Sequence, residues 1–376
     1  MTSYSKVVVS ALLVMLVACA GGGPRQGSQS PAETVPVDQF NGGLAFGSCL
    51  RQWQPQPVWQ SVLASGASGF IFMGDNVYSD VGPYRQVPPP TNIAAAYQDL
   101  SLAPQFAAFR KQADQRGLSL MATWDDHDYG ENDGGKDYPY QRQSREEFAD
   151  FFNLNLLELG DGLGRGVYHS RFLSVAGLRV QVILLDTRSF RSPLRYAETK
   201  QACAPTGLIP ETDPGASILG DDQWRWLGTQ LGKPADLRLL VSSIQVLPDE
   251  HCFEKWANFP AERQRLFALI DQHQAAGVVI LSGDRHLGEI SKLDSSVVGY
   301  PLYEVTSSGL NSAMGAASPA AKESNALRVA GTNLLADNFG FVAVRGQGAD
   351  AEIALQLRDA SGVVRREVRV PLASLK

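Results

Sequence analysis

The chain has 376 residues, with 33 Lys and Arg against 39 Asp and Glu, a formal net charge of −6. Hydrophobic residues at 44% and charged residues at 19% are ordinary for a folded protein and exclude wholesale disorder. The mild acidity, with no basic block, excludes a general nucleic-acid binder that works by neutralising phosphates.

Lys6 precedes an apolar run over 7–18, shorter than the roughly 20 residues of a membrane span and suited to the core of a signal peptide over 1–18. Its end, Leu16-Val17-Ala18-Cys19, resembles a bacterial lipoprotein processing site, which predicts cleavage before Cys19 and lipidation of its thiol. Several acyl chains on one residue anchor a protein to a membrane firmly, at about 0.8 kcal/mol per buried methylene. Ala20 in place of an Asp points to the outer membrane or periplasm in a Gram-negative source. Residues 19–39, rich in Gly, Pro, Ser and Gln, read as the lipidated Cys and a flexible tether, and 40–376 as one domain with a strand-rich C-terminal part. Export permits disulfides. With Cys19 lipidated, three cysteines remain. Cys203 and Cys252 sit in polar, loop-like surroundings that let them pair, which leaves Cys49 to be explained.

Short apolar runs at 44–49, 69–78, 120–128, 179–188, 237–246 and 277–286 end in polar residues and read as strands buried on both faces. Helical patterns lie between them at 57–65, 92–116, 145–154, 221–231 and 260–276, the last opening on Pro260 and stopping at Gly277. Segments 300–308, 339–344, 352–359 and 363–370 alternate instead, as mostly antiparallel strands do, with Ala360-Ser361-Gly362 as a hairpin turn. The expected class is α/β, with mixed layers around two packed sheets. Ligands of such sheets bind beyond the carboxyl ends of the strands. Cys49, Asp75, Asp125, Asp126, His127, Asp284 and His286 all follow apolar runs at such ends. Carboxylate, imidazole, thiolate and phenolate together suit metal, in a site assembled from several strands. A pair of adjacent metals needs a bridging ligand, and the Asp75 carboxylate can bridge.

The residues that carry the pattern are Gly47-Ser48-Cys49, GDNVY at 74–78, TWDDHDYGEND at 123–133 and SGDRH at 282–286, in that order. They resemble the alkaline phosphatases of the PhoD-like group, from about residue 40 to about residue 308, with LDTR (185–188), GDDQWRWL (220–227) and SSIQV (242–246) in support. The resemblance implies the calcineurin-like metallophosphoesterase architecture, a four-layer sandwich of two central mixed β-sheets flanked by helices. It also implies Fe(3+) held by Cys49, Asp75, Tyr78 and His286. Ca(2+) would lie beside it on Asp126, Asn132 and Asp284, with Asp75 as the bridge and other divalent metals as alternatives. Ferric iron accepts thiolate and phenolate, whereas calcium prefers several oxygens. Five histidines, only two of them in motifs, argue against a His-rich zinc site.

The implied activity is hydrolysis of phosphoric esters by an exported, lipid-anchored enzyme, a metal-bound hydroxide attacking phosphorus in line. His127 is expected to hydrogen-bond the phosphate or protonate the leaving oxygen, and Arg285 to grip phosphate through two parallel N–H bonds. Arg188 is either a second grip or a structural partner of nearby carboxylates. His169, His251 and His273 read as surface or packing residues, and Ser48 has no nearby His to activate it as a nucleophile. The rival enzyme is a phosphodiesterase with phospholipase D-like action on diesters. The rival from another class is a surface lipoprotein that captures phosphate or calcium without chemistry. Larger secreted members of the group carry an extra β-rich domain ahead of the metal core and often a twin-arginine signal. Here only residues 20–39 separate anchor and core, and Lys6 stands without an arginine pair, so general secretion with metal loading after export is expected.

Overall fold

The computed structural model describes residues 42–376, apart from 163, 295 and 347–349. The signal peptide over 1–18, the lipid site at Cys19 and the tether over 19–39 lie outside the described residues. The chain first lays down β1 (Gly42–Gly47), α1 (Val58–Ala64), β2 (Gly69–Met73), α2 (Thr91–Leu102), α3 (Pro104–Arg116) and β3 (Ser119–Thr123). There follow α4 (Asp126–Tyr129), α5 (Gln141–Phe151), β4 (His169–Val175), β5 (Leu178–Leu184), α6 (Gly220–Leu231) and β6 (Leu237–Val241). The last part holds α7 (Pro260–Gln272), β7 (Val278–Ser282), β8 (Gly288–Leu293), β9 (Leu302–Ser307), β10 (Asn338–Arg345), β11 (Glu352–Asp359) and β12 (Val364–Pro371).

Two mixed six-stranded sheets result, ordered β12-β11-β10-β1-β2-β3 and β4-β5-β6-β7-β9-β8. In the first, β1, β2 and β3 run parallel and β10 to β12 extend the β1 edge antiparallel. In the second, β5, β6, β7 and β9 are parallel, with antiparallel β4 and β8 at the edges. The pleat sorts side chains by face. Leu44, Phe46, Ile71 and Met73 join the core shared with the second sheet. Ala45, Phe70 and Phe72 point the other way and pack with Trp59, Phe106, Phe109 and Phe148 of α1, α3 and α5. Trp224 and Leu227 of α6, with Leu266 and Ile270 of α7, join the second sheet's side of the core. Each such side chain contributes about 1.5–3 kcal/mol by leaving water. The layers are helix, sheet, sheet, helix.

The helical pattern at 92–116 divides into α2 and α3, because Ala103 precedes Pro104 and takes an extended backbone that the proline ring enforces. The final helix ends at Gln272 rather than at 276, and Gly277, with φ of +70°, starts the turn into β7. Strands β4 and β8 had no counterpart among the apolar runs. Both lie at sheet edges, and β4 is partly exposed along its length, so its sequence is mixed. The segment around β9 is parallel to β7, not antiparallel to all its neighbours.

Glu304 on β9 is buried and accepts the N–H groups of Val246 at 3.0 Å and Leu247 at 2.6 Å, fixing the turn after β6. Burial pushes its carboxyl up to about 7, against the pull of Ser282 and of those two N–H groups. The folded state therefore holds this proton more tightly than the unfolded chain. Its share of stability is full below about pH 4.5 and is lost as pH rises through about 7. Metal-stripped protein should melt a few degrees lower at pH 8 than at pH 5. Glu304→Gln, less stable at acid pH because its amide cannot accept both N–H groups, should show a shallower decline. An unchanged slope in the variant would remove Glu304 as its source.

Candidate metal centre

The carboxyl ends of β1, β2, β3 and β7 bring the polar residues together. Two residues beyond β1 stands Cys49, two beyond β2 Asp75, three beyond β3 Asp126, and two and four beyond β7 Asp284 and His286. Cys49, Asp75, Asp284 and His286 all take left-handed backbone, with φ of +63°, +49°, +67° and +54°. A non-glycine residue there costs on the order of 1–3 kcal/mol, a strain retained where the surroundings fix it and often where chemistry is placed.

The ligand atoms of Cys49, Asp75 and His286 lie within 4.8 Å of one another, and so do those of Asp75, Asp126 and His127. Asp75 belongs to both groups. Its Oδ2 is 3.5 Å from the Cys49 thiol, while its Oδ1 is buried with no hydrogen-bond partner. A buried carboxylate oxygen left unpaired costs about 1–3 kcal/mol or more, and a cation between the two groups would satisfy it. The donor set is one that metals accept, with sulfur, nitrogen and oxygen in a single recess. The residues therefore fit a metal site.

Cys49 is fully buried between Ser48 Oγ at 3.3 Å and Ser308 Oγ at 3.0 Å. Burial first, then the nearby Asp75 carboxylate, push its thiol up. The same causes raise the Tyr78 phenol, whose oxygen is 3.2 Å from His286 Nε2. His286 donates Nδ1–H to the Ser312 carbonyl at 2.7 Å, which leaves Nε2 unprotonated and facing Tyr78. Burial, then the charges of Arg51, His127 and Arg285, carry this imidazole down to about 4 despite that hydrogen bond. Burial works against charge on Asp126 too. His127, Arg188 and the Asp133 N–H nevertheless hold its carboxyl well below the usual range. Asp284 lies beside these groups but outside the two tight clusters. Burial, then Asp125, raise its carboxyl well above the usual range.

His127 packs against Tyr78 with ring centroids 4.3 Å apart and planes tilted by 36°, and its Nδ1 meets Asp80 Oδ1 at 2.5 Å. Burial opposes protonation, but Asp126 and Asp75, followed by Asp80, hold this imidazole well above its ordinary pKa. Asp80 was not anticipated. Its partner lies 47 residues away, and nothing in the VYSD segment signals the pairing. Asn132 is exposed, and its backbone N–H donates to Asp80 Oδ2 at 2.8 Å.

The two arginines are occupied. Arg188 is fully buried, holds Asp125 through Nε at 2.6 Å and through Nη2, and holds Glu254 through Nη1 at 2.6 Å. In this arrangement both sides of its guanidinium are taken by carboxylates. Arg285 donates to Glu323 at 2.7 Å and lies over the Phe253 ring at 4.1 Å. Asp128 is a brace, since its oxygens accept the N–H groups of Asn76, Val77 and Asp125 and the Tyr97 hydroxyl. Cys203 and Cys252 form a disulfide across 49 residues, with Cα atoms 5.2 Å apart, and Cys49 is free.

Residues 168–354 match the family model described as PhoD-like phosphatase. The chain carries a PhoD-like phosphatase domain. The matched span takes in Arg188, Asp284, Arg285 and His286, while Cys49, Asp75, Tyr78 and Asp126 precede it. Alkaline phosphatase D of Bacillus subtilis (strain 168) is 24% identical over 299 residues, which cover 70% of this chain and 48% of that protein. The chain thus spans about half the length of the curated relative it matches. The solved structure of PhoD aligns with a TM-score of 0.60 at 19% identity, over 87% of this chain and 71% of that one. PhoD and this PhoD-like domain therefore share their fold.

Proposed function

We propose that this protein is an exported, metal-dependent hydrolase of phosphoric esters, of the alkaline phosphatase D type. The observation that carries the reading is Asp75, a single carboxylate shared by two donor clusters, with an orphaned oxygen and a strained backbone. Cys49, Asp75, Tyr78 and His286 would hold ferric iron, and Asp75, Asp126 and Asp284 calcium or another divalent ion, in keeping with soft and hard donors on the two sides. When bound, such cations clamp phosphate oxygens and acidify a water so that it attacks phosphorus in line. His127 has Nδ1 committed to Asp80, so Nε2 is the nitrogen left to donate a proton to the leaving oxygen. Asp80 holds the ring in place for that transfer.

Export rests on the signal-like segment over 1–18 and the lipid site at Cys19, and the disulfide suits an oxidising compartment. No helix among the described residues is long and apolar enough to cross a membrane, so attachment would fall to the lipid.

Protein purified without chelators should hydrolyse a phosphate monoester, and a diester with the same leaving group shows which class it prefers. His127→Asn should lower kcat by about 10²–10⁴ while metal content stays unchanged. A purple absorption band from Tyr78–iron contact should vanish in Tyr78→Phe. Metal-loaded protein that turns over no monoester and no diester would overturn the reading and leave a binding protein in its place, and full activity in the His127 variant would remove His127 as the proton donor.

A further inference from the structure

Resting on that reading, we infer that the turn after β1 is the substrate-recognition subsite. Arg51 takes the phosphate and Trp53 stacks on a flat ring in the leaving group, so the substrates are phosphate esters of ring-bearing alcohols such as nucleosides.

A phosphate entering a recess lined by Asp75, Asp126 and Asp284 needs a cation free to meet it, and the arginines of the SGDRH and LDTR segments are not free. Arg188 lies between Asp125 and Glu254, and Arg285 between Glu323 and the Phe253 ring. Turning either toward a substrate would strand a carboxylate. Arg51 pairs with no carboxylate among the described residues, and its Nε is buried without a hydrogen-bond partner. Its guanidinium carbon stands 5.6 Å from the centroid of the Tyr78 ring, the ring that also packs against His127. A planar fork with unused N–H groups suits phosphate oxygens.

Trp53 lies two residues on. The other five tryptophans are buried, at 7% exposure or less, whereas Trp53 is 38% exposed. Its indole meets the Tyr78 ring edge-on at 6.3 Å and the Tyr84 ring at 6.0 Å. Gly82 presses close enough that a Cβ there would come within 2.8 Å of the indole. The turn itself is pinned. The Asn311 side chain accepts the Arg51 N–H at 2.8 Å and donates to its carbonyl at 3.0 Å. The Gln52 amide brackets the Tyr78 backbone with two bonds of 3.0 Å. A large apolar surface held against Tyr78, the ring that packs on His127, is a platform whose ordering is complete before a ligand arrives.

The test compares adenosine 5′-monophosphate with ribose 5-phosphate, which lose the same kind of primary alkoxide and differ in the base. Wild-type protein should favour the nucleotide. Trp53→Ala should lower kcat/KM on the nucleotide by roughly 5- to 150-fold, the range of one base–aromatic stack, and leave ribose 5-phosphate within about twofold. Trp53→Phe should keep most of the preference. Arg51→Gln should raise KM for both esters and weaken inhibition by inorganic phosphate by about tenfold or more, with a smaller change in kcat. Equal effects of Trp53→Ala on both esters, no effect on either, or phosphate inhibition untouched by Arg51→Gln would overturn the assignment. If metal-loaded wild type turns over neither ester and no diester, the hydrolase reading fails. Equilibrium binding of the two esters to the same variants then decides the subsite separately.

Discussion

Asp75→Asn should yield a protein that folds more stably without metal than the wild type does, yet takes up no metal and loses at least about 10³-fold in turnover. The two halves have one cause. Asp75 is 1% exposed, its Oδ1 is unpaired, and burial, then the carboxylates of Asp126, Asp125 and Asp128, lift its carboxyl well above the usual range against the pull of His127. In the absence of cations this group is a burden on the fold. Asparagine removes the charge, keeps the volume and tolerates the left-handed backbone at φ of +49° better than most residues. The gain in stability of metal-free protein comes from removing the buried charge and should show as a higher melting temperature. Asparagine cannot act as the anionic ligand of both clusters, and loss of charge stabilisation worth several kcal/mol gives the drop in rate. Elemental analysis, thermal melting after chelation and steady-state rates read the three effects. Metal retained at wild-type stoichiometry would show that Asp75 is not the shared ligand.

Arg188→Ala should destabilise the fold by about 3–5 kcal/mol, because it leaves the Asp125 and Glu254 carboxylates facing each other in a space closed to water. Burial works against the charge on Arg188, but Asp125 and Glu254 more than offset it and hold the guanidinium firmly protonated. Lysine should not rescue it. One ammonium cannot reproduce a fork that bonds Asp125 through Nε and Nη2 and Glu254 through Nη1. Chemical denaturation of the two variants checks this, and a loss under 1 kcal/mol in either would show that the carboxylates find other partners. The site should loosen with the fold, since Asp125 precedes α4, which carries Asp126 and His127.

What could be read in the sequence was the end of each buried strand. An apolar run that stops at a polar residue marks a carboxyl edge, and the positions of Cys49, Asp75 and Asp284 follow from that alone. The split at Ala103-Pro104 was missed in the single pattern over 92–116, although a residue before proline avoids helical backbone. Side-chain partnerships were not legible. Arg188 meets Asp125 and Glu254 across 63 and 66 residues, Arg285 meets Glu323 across 38, and His127 meets Asp80 across 47. Periodicity reports which face a residue occupies and is silent on which distant carboxylate lies opposite. Arg285 in its motif was thus read as free to grip phosphate, although Glu323 already holds it. Nor does a sequence show left-handed backbone at cysteine or histidine, residues with no local need of it.

Cys252 lies two residues before Glu254, so its crosslink to Cys203 fastens the very turn whose carboxylate sits under Arg188 and Arg191. The third thiol, Cys49, is sealed from solvent once the sheets close. A wrong sulfur partner can therefore reach it only in the unfolded chain. Collapse around Cys49 ahead of oxidation would therefore protect the pairing of the other two. An oxidant acting on the unfolded chain would let Cys49 compete with Cys203 and Cys252 and forfeit the crosslink.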